Sequence, residues 1–175
     1  MKGFVALLRG INVGGNRKLP MAELRALAAG LGLEAPRTYV ASGNLVFRSS
    51  LDGGALEKKL ECAIADRFGF AVDVIVRSAA EWSRYRDSNP FPEESEATPN
   101  YVMLCLGKEA ATDVQVEALR AKAADDEKVE RRDDAIWIWF GSGAGRSKIG
   151  TGPAKAVVTT RNWRTVLAID EMLNT

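Results

Sequence analysis

Apolar residues recur along this chain in two rhythms, every second position and every third to fourth, and the order of the rhythms predicts an architecture. Residues 4–8 read as a short buried strand, and a Gly/Asn/basic stretch, residues 9–18, follows it. Pro20 then stands where a helix accepts its first residue, and Met21, Leu24, Ala28 and Leu31 keep helical spacing. Thr38, Tyr39 and Val40 are β-branched or aromatic, and Leu45, Val46 and Phe47 resume the strand pattern after Ser42-Gly43-Asn44. Two such runs around a Gly-Asn pair predict a hairpin with Gly43 at positive φ. Asp52 is placed to cap a second helix whose buried stripe is Leu56, Leu60, Ala63, Ile64 and Phe68; residues 72–76 supply a fourth strand. The order β-α-β-β-α-β is the ferredoxin-like split unit.

The second half repeats the plan more loosely. Ser78 and Glu81 form a capping box that opens a short helix with Trp82 and Tyr85, which stops near Asn89-Pro90. Pro90, Pro92 and Pro99, with Glu93, Glu94 and Glu96, mark residues 90–100 as a linker. Residues 101–106 form a strand, Thr112 and Gln115 a second capping box, and Val116, Leu119 and Ala123 a helical stripe. Val129 and residues 136–140 make a hairpin across 131–134, followed by a glycine loop at 141–148. A weak strand at 156–158 and a closing helix from Thr160, with Trp163, Val166, Ile169 and Leu173 inward, complete the reading. The expected fold is α+β: two ferredoxin-like α/β plaits with antiparallel sheets packed together. Residues 1–78 form the first, 79–100 a helix and Pro/Glu-rich linker, and 101–175 the second with its C-terminal helix.

Composition narrows the chemistry more than the fold. The 175 residues include no histidine, which removes the Ser-His-Asp triad, the Cys-His pair and every histidine metal site. Two cysteines without histidine do not make a zinc site of the usual ligand set, so neither metal nor cofactor is expected. Cys62 and Cys105 fall in apolar-periodic segments and read as small buried hydrophobes. No apolar run approaches the roughly 18 residues of a membrane helix, and the apolar start before Arg9 is too short for a signal peptide. A cytoplasmic protein without a membrane partner is the expectation.

A net charge of +1 conceals a polarised chain. No acid occurs between Met1 and Pro20, where Arg9, Arg17 and Lys18 accompany Asn12, Gly14 and Gly15. In a split β-α-β unit the loop after the first strand and the turn between the second and third open at the same end of the sheet. Topology therefore brings Arg9, Asn12, Gly14, Gly15 and Lys18 to Ser42, Gly43 and Asn44. Amides freed by glycine at a helix start, with cations beside them, suit an anion; the alternative is that the glycines only permit tight turns and the cations are a solvated rim. A second acid-free stretch, residues 141–165, carries Arg146, Lys148, Lys155, Arg161 and Arg164, while residues 113–134 hold eight acids against five bases. Thr160, Arg161 and Asn162 at the expected helix start add a hydroxyl, free amides and a planar guanidinium. Neither glycine stretch matches a dinucleotide or Walker A fingerprint. Trp137 and Trp139 share a strand face, where they either stack bases or fill the contact between the halves.

Several of these segments together resemble a family. Residues 9–15, 19–24, Thr38-Tyr39 with Ser42-Gly43-Asn44, 145–148, 159–163 and Thr165-Val166 are similar, in order and over essentially the whole chain, to the bacterial family catalogued as domain of unknown function 1697. The resemblance implies two ferredoxin-like α/β plaits and no particular activity or site residue. The expected function is binding of a small phosphorylated or anionic ligand, a nucleotide or an RNA end, by the basic loops. An enzyme acting on such a ligand through Lys18 or Lys148, or a non-catalytic module docking a protein, are the alternatives. No catalytic residue is assigned.

Overall fold

The computed structural model describes all 175 residues. They form two compact units, one of residues 1–83 with 168–175 and one of residues 84–167. In the first, β1 (Lys2–Leu8), α1 (Met21–Gly30), β2 (Glu34–Tyr39), β3 (Asn44–Ser49), α2 (Gly53–Phe68) and β4 (Val74–Ser78) follow one another. The antiparallel sheet has the order β2-β3-β1-β4, as the split unit requires. Phe4, Ala6 and Leu8 alternate onto the helix-covered face, with Leu45, Phe47, Val74 and Val76 beside them and Leu24, Ala28, Leu56, Leu60 and Ile64 above. Val5 and Leu7 are buried too, which is why β1 reads as an unbroken apolar run.

Local chemistry sets the boundaries. Asp52 accepts a hydrogen bond from Ala55 N at 2.9 Å as the N-cap of α2, and Gly69 ends that helix at φ 78°. Cys62 lies on the opposite side of α2 from Leu60 and Ile64 and is exposed, not buried as its apolar neighbours suggested; Cys105 is buried. α3 (Ala79–Asp87) opens on the Ser78–Glu81 capping box and continues across the boundary of the two units.

The second unit contains α4 (Pro92–Ala97), β5 (Val102–Gly107), α5 (Asp113–Arg120), β6 (Glu127–Arg132), β7 (Ala135–Phe140) and β8 (Val158–Asn162), with the equivalent sheet order β6-β7-β5-β8. α6 (Trp163–Leu173) follows and passes from the second unit into the first. α5 carries the predicted Thr112–Gln115 capping box and packs Val116 and Leu119 on Val129, Ile136, Ile138 and Phe140. Trp137 lies on the other strand face and packs against Trp163 at 5.8 Å between ring centroids.

Two expectations need correction. The proline-rich linker contains a helix, α4, because Pro92 takes the first helical position and Glu93 and Glu94 fill an acid-favouring first turn. Thr160, Arg161 and Asn162 are strand residues rather than a helix start. Their β-branched run, Val157 to Thr160, is extended, and β8 pairs Thr160 with Cys105, Arg161 with Leu104 and Asn162 with Met103. The helix begins three residues later, with Asn162 Oδ1 accepting from Thr165 N at 3.0 Å.

Candidate functional site

The loop between β1 and α1 is anchored at both ends and exposed in the middle. Ile11 and Leu19 are buried at 1% and 0% exposure, whereas residues 12–18 are all exposed. Between the anchors the backbone turns back on itself: Asn12 N donates to Arg17 O at 3.1 Å and Asn16 N to Val13 O at 3.1 Å. Gly14 and Gly15 occupy the tip at φ 58° and 78°, the two successive positive values that a type I′ hairpin turn demands. The glycines therefore belong to a projecting hairpin. They do not form a cradle at the start of α1, whose N-cap, Pro20, offers no side-chain bond.

Asn12 fastens this hairpin to its surroundings. Its Oδ1 accepts from Leu19 N at 2.8 Å, and its Nδ2 donates to Leu19 O at 3.0 Å and to Ala41 O at 2.8 Å. Both amide hydrogens are committed, so Asn12 holds the loop against the β2–β3 turn. It does so at φ 55°, a left-handed conformation that asparagine tolerates better than most residues. Across the turn, Asn44 is wholly buried and donates to Tyr39 O at 2.9 Å and Ser42 Oγ at 3.3 Å. Gly43 sits at φ 89°, and a Cβ there would stand 2.7 Å from Ile11 Cδ1 and 2.8 Å from Leu8 Cβ. Only glycine lets the turn close on the loop.

The structure thus brings Arg9, Asn12, Gly14, Gly15 and Lys18 to the same sheet end as Ser42, Gly43 and Asn44. Arg9 is about half exposed, and its Nη1 pairs with Asp73 Oδ2 at 3.3 Å. That carboxylate, from the segment entering β4, is a member of the cluster that sequence spacing did not bring to notice. Arg17 and Lys18 are exposed and make no ion pair within the chain. Arg17 holds φ 48°, and its guanidinium lies within 3.7 Å of where a Gly10 Cβ would be.

The second unit distributes its candidates differently. Arg146, at the end of a single 3-10 turn (Ala144–Arg146), and Lys148 line a shallow cavity of about 240 Å3 shared with Asp126 and Glu127. The cavity thus holds carboxylates as well as cations, despite the acid-free sequence around Arg146 and Lys148. Thr160 and Arg161 lie on β8, and Arg161 is 7% exposed, with Nη1 donating to Thr159 Oγ1 at 2.7 Å and to Thr160 O at 2.9 Å. Burial lowers its pKa to about 10, still far above neutrality, so it remains a cation at pH 7. Burial pushes the Cys105 thiol up to about 12, which keeps it protonated and poorly nucleophilic. No group of three or more acidic or thiol side chains is arranged to hold a metal ion, and no helix is long and apolar enough to cross a membrane.

Residues 1–137 match the family model described as "Protein of unknown function (DUF1697)". Among solved structures, the conserved bacterial protein SP0830 from Streptococcus pneumoniae is similar, with a TM-score of 0.78 and 27% identity over 98% of each chain. No curated protein matches.

Proposed function

This chain belongs to the DUF1697 family of proteins of unknown function, and we propose that it binds a phosphorylated ligand, a nucleotide or an RNA end, on the basic hairpin of its first plait. The observation that carries the reading is the three-bond clasp of Asn12 on Leu19 and Ala41. It fixes an exposed Gly14-Gly15 tip and the cations Arg17 and Lys18 in one place, so less conformational entropy is lost when an anion is bound. Two exposed cations without internal partners offer charge-assisted hydrogen bonds, and glycine amides at the tip can approach a phosphate without a side chain intervening. Arg9 completes the set from the strand side, tempered by Asp73. A projecting, solvent-bathed hairpin suits recognition of a phosphate group more than enclosure of a whole small molecule.

Fluorescence anisotropy with a short 5′-phosphorylated RNA, and competition by AMP, test the reading. Arg17→Glu and Lys18→Glu abolish binding while leaving stability within about 0.5 kcal/mol, since both side chains are exposed. The logarithm of the dissociation constant varies with that of salt with a slope magnitude of about 2, as three cations on a single strand require. Equal affinity in both charge-reversed variants would exclude the hairpin.

A further inference from the structure

The register of the two sheets exposes a difference that sequence comparison of the halves does not show. Leu8 pairs with Val74 and Ala6 with Leu45 in the first plait, as Gly107 pairs with Val158 and Cys105 with Ile136 in the second. Arg9 N donates to Asp73 O at 3.0 Å, and Lys108 N donates to Val157 O at 3.1 Å, so the equivalence continues past the strand ends. Gly107 therefore occupies the place of Leu8. Leu8 is wholly buried, and the long loop after it lays Ile11 and Leu19 over the sheet end. In the second plait the side chain is missing, and the connection to α5, residues 108–112, is less than half as long. It doubles back so closely that a Cβ on Gly107 would stand 2.8 Å from Glu109 O. No leucine can take the position.

What results is a cavity of about 390 Å3 at the sheet end, within the roughly 300–1,000 Å3 of small-ligand sites and near its lower limit. Cys105, Ile136 and Val158 form an apolar floor, with Ala111 and Ala156 on the walls. Asp134, on the rim, already accepts a hydrogen bond from the Tyr85 hydroxyl at 2.8 Å. Glu109 and Lys155 are exposed on the same rim, opposite in sign, and neither has an ion-pair partner within the chain. We infer that this cavity is a second ligand site, which takes a compact zwitterion with an apolar body, in the manner of an apolar α-amino acid. The apolar body covers the Cys105–Ile136–Val158 floor, Lys155 receives the carboxylate and Glu109 the ammonium. The site stands apart from the phosphate-binding reading, since it uses neither the hairpin nor its cations.

Methyl NMR of the intact chain, observing Ile136, Val158, Ala111 and Ala156 during titration with L-leucine or L-phenylalanine, tests the assignment. Saturable shifts confined to these methyls are expected. 3-Phenylpropionate and phenethylamine, which each lack one charge, bind about tenfold more weakly, as loss of one charge-assisted contact predicts. Lys155→Ala and Glu109→Ala each weaken the amino acid by a similar factor, and both sites are exposed enough to leave the fold intact. Ala111→Leu fills the cavity and removes the shifts. The inference fails if no methyl saturates at millimolar amino acid, if the singly charged analogues bind equally well, or if the shifts survive Ala111→Leu.

Discussion

The two plaits share one strand order and differ in how they close the helix-covered face. In the first, β3 returns to β4 through the sixteen-residue helix α2, and Ile11 and Leu19 seal the end of the sheet. In the second, the passage from β7 to β8 is an irregular stretch with a single 3-10 turn, held down by Ile149 and Pro153, and the sheet end stays open. One framework can thus close its sheet end or leave it open. A sealed plait has a saturated core, so its polar residues are pushed out on a projecting hairpin. An unsealed plait keeps a concave surface inside. The deciding residues are small in number: Leu8 against Gly107, and the length of the loop that follows each.

Breaking the seal has the largest expected effect. Ile11→Ala removes a fully buried side chain beneath the hairpin and costs about 2–5 kcal/mol in urea unfolding. The opposite change on the other plait, Ala111→Leu, enters existing space and is neutral or stabilising by up to about 1 kcal/mol. Equal losses from both substitutions would mean that the two ends are packed alike.

Asn12→Ala comes next. It leaves the buried Leu19 amide and the Ala41 carbonyl without their side-chain partner, at a cost of about 1–3 kcal/mol, and it frees the hairpin. Amide exchange should quicken between Asn12 and Leu19 and remain unchanged in β6 and β7. Uniform acceleration through the chain would argue that Asn12 serves global stability and not loop placement.

The smallest effect sharpens the second plait alone. Glu94 accepts a hydrogen bond from Lys128, which holds its carboxyl below the ordinary value of 4.5. A depressed carboxylate contributes stability above its unfolded value and loses it as pH falls through the folded one. Glu94→Gln therefore lowers stability at pH 7 by at most about 1 kcal/mol. The gap to the unsubstituted protein closes on acidification below 4.5. A gap that widened in acid would mean that Lys128 does not depress Glu94.

Much of the first plait was legible because each element carries a local signal: the Asp52 cap, the Leu56–Leu60–Ile64 stripe, and the Ser42-Gly43-Asn44 turn with its positive φ at Gly43. The meeting of loop and turn followed from strand direction alone. What Asn12 does was not legible, since an amide that bridges residues 19 and 41 is indistinguishable in sequence from one that faces a ligand. Asp73 was hidden for the same reason. In the second plait, strand pairing with β5 overrode the helical reading of Thr160 to Asn162. The cavity is invisible in sequence because it depends on Gly107 holding, in its own sheet, the position that Leu8 holds in the first.

A titration of the 15N-labelled chain with pyrophosphate decides whether the hairpin of the first plait binds phosphate, as proposed. Saturable amide shifts centred on Gly14, Gly15 and Lys18, absent in Arg17→Ala, are expected. Shifts of equal size at Arg146 and Lys148, or at every exposed cation alike, would contradict it.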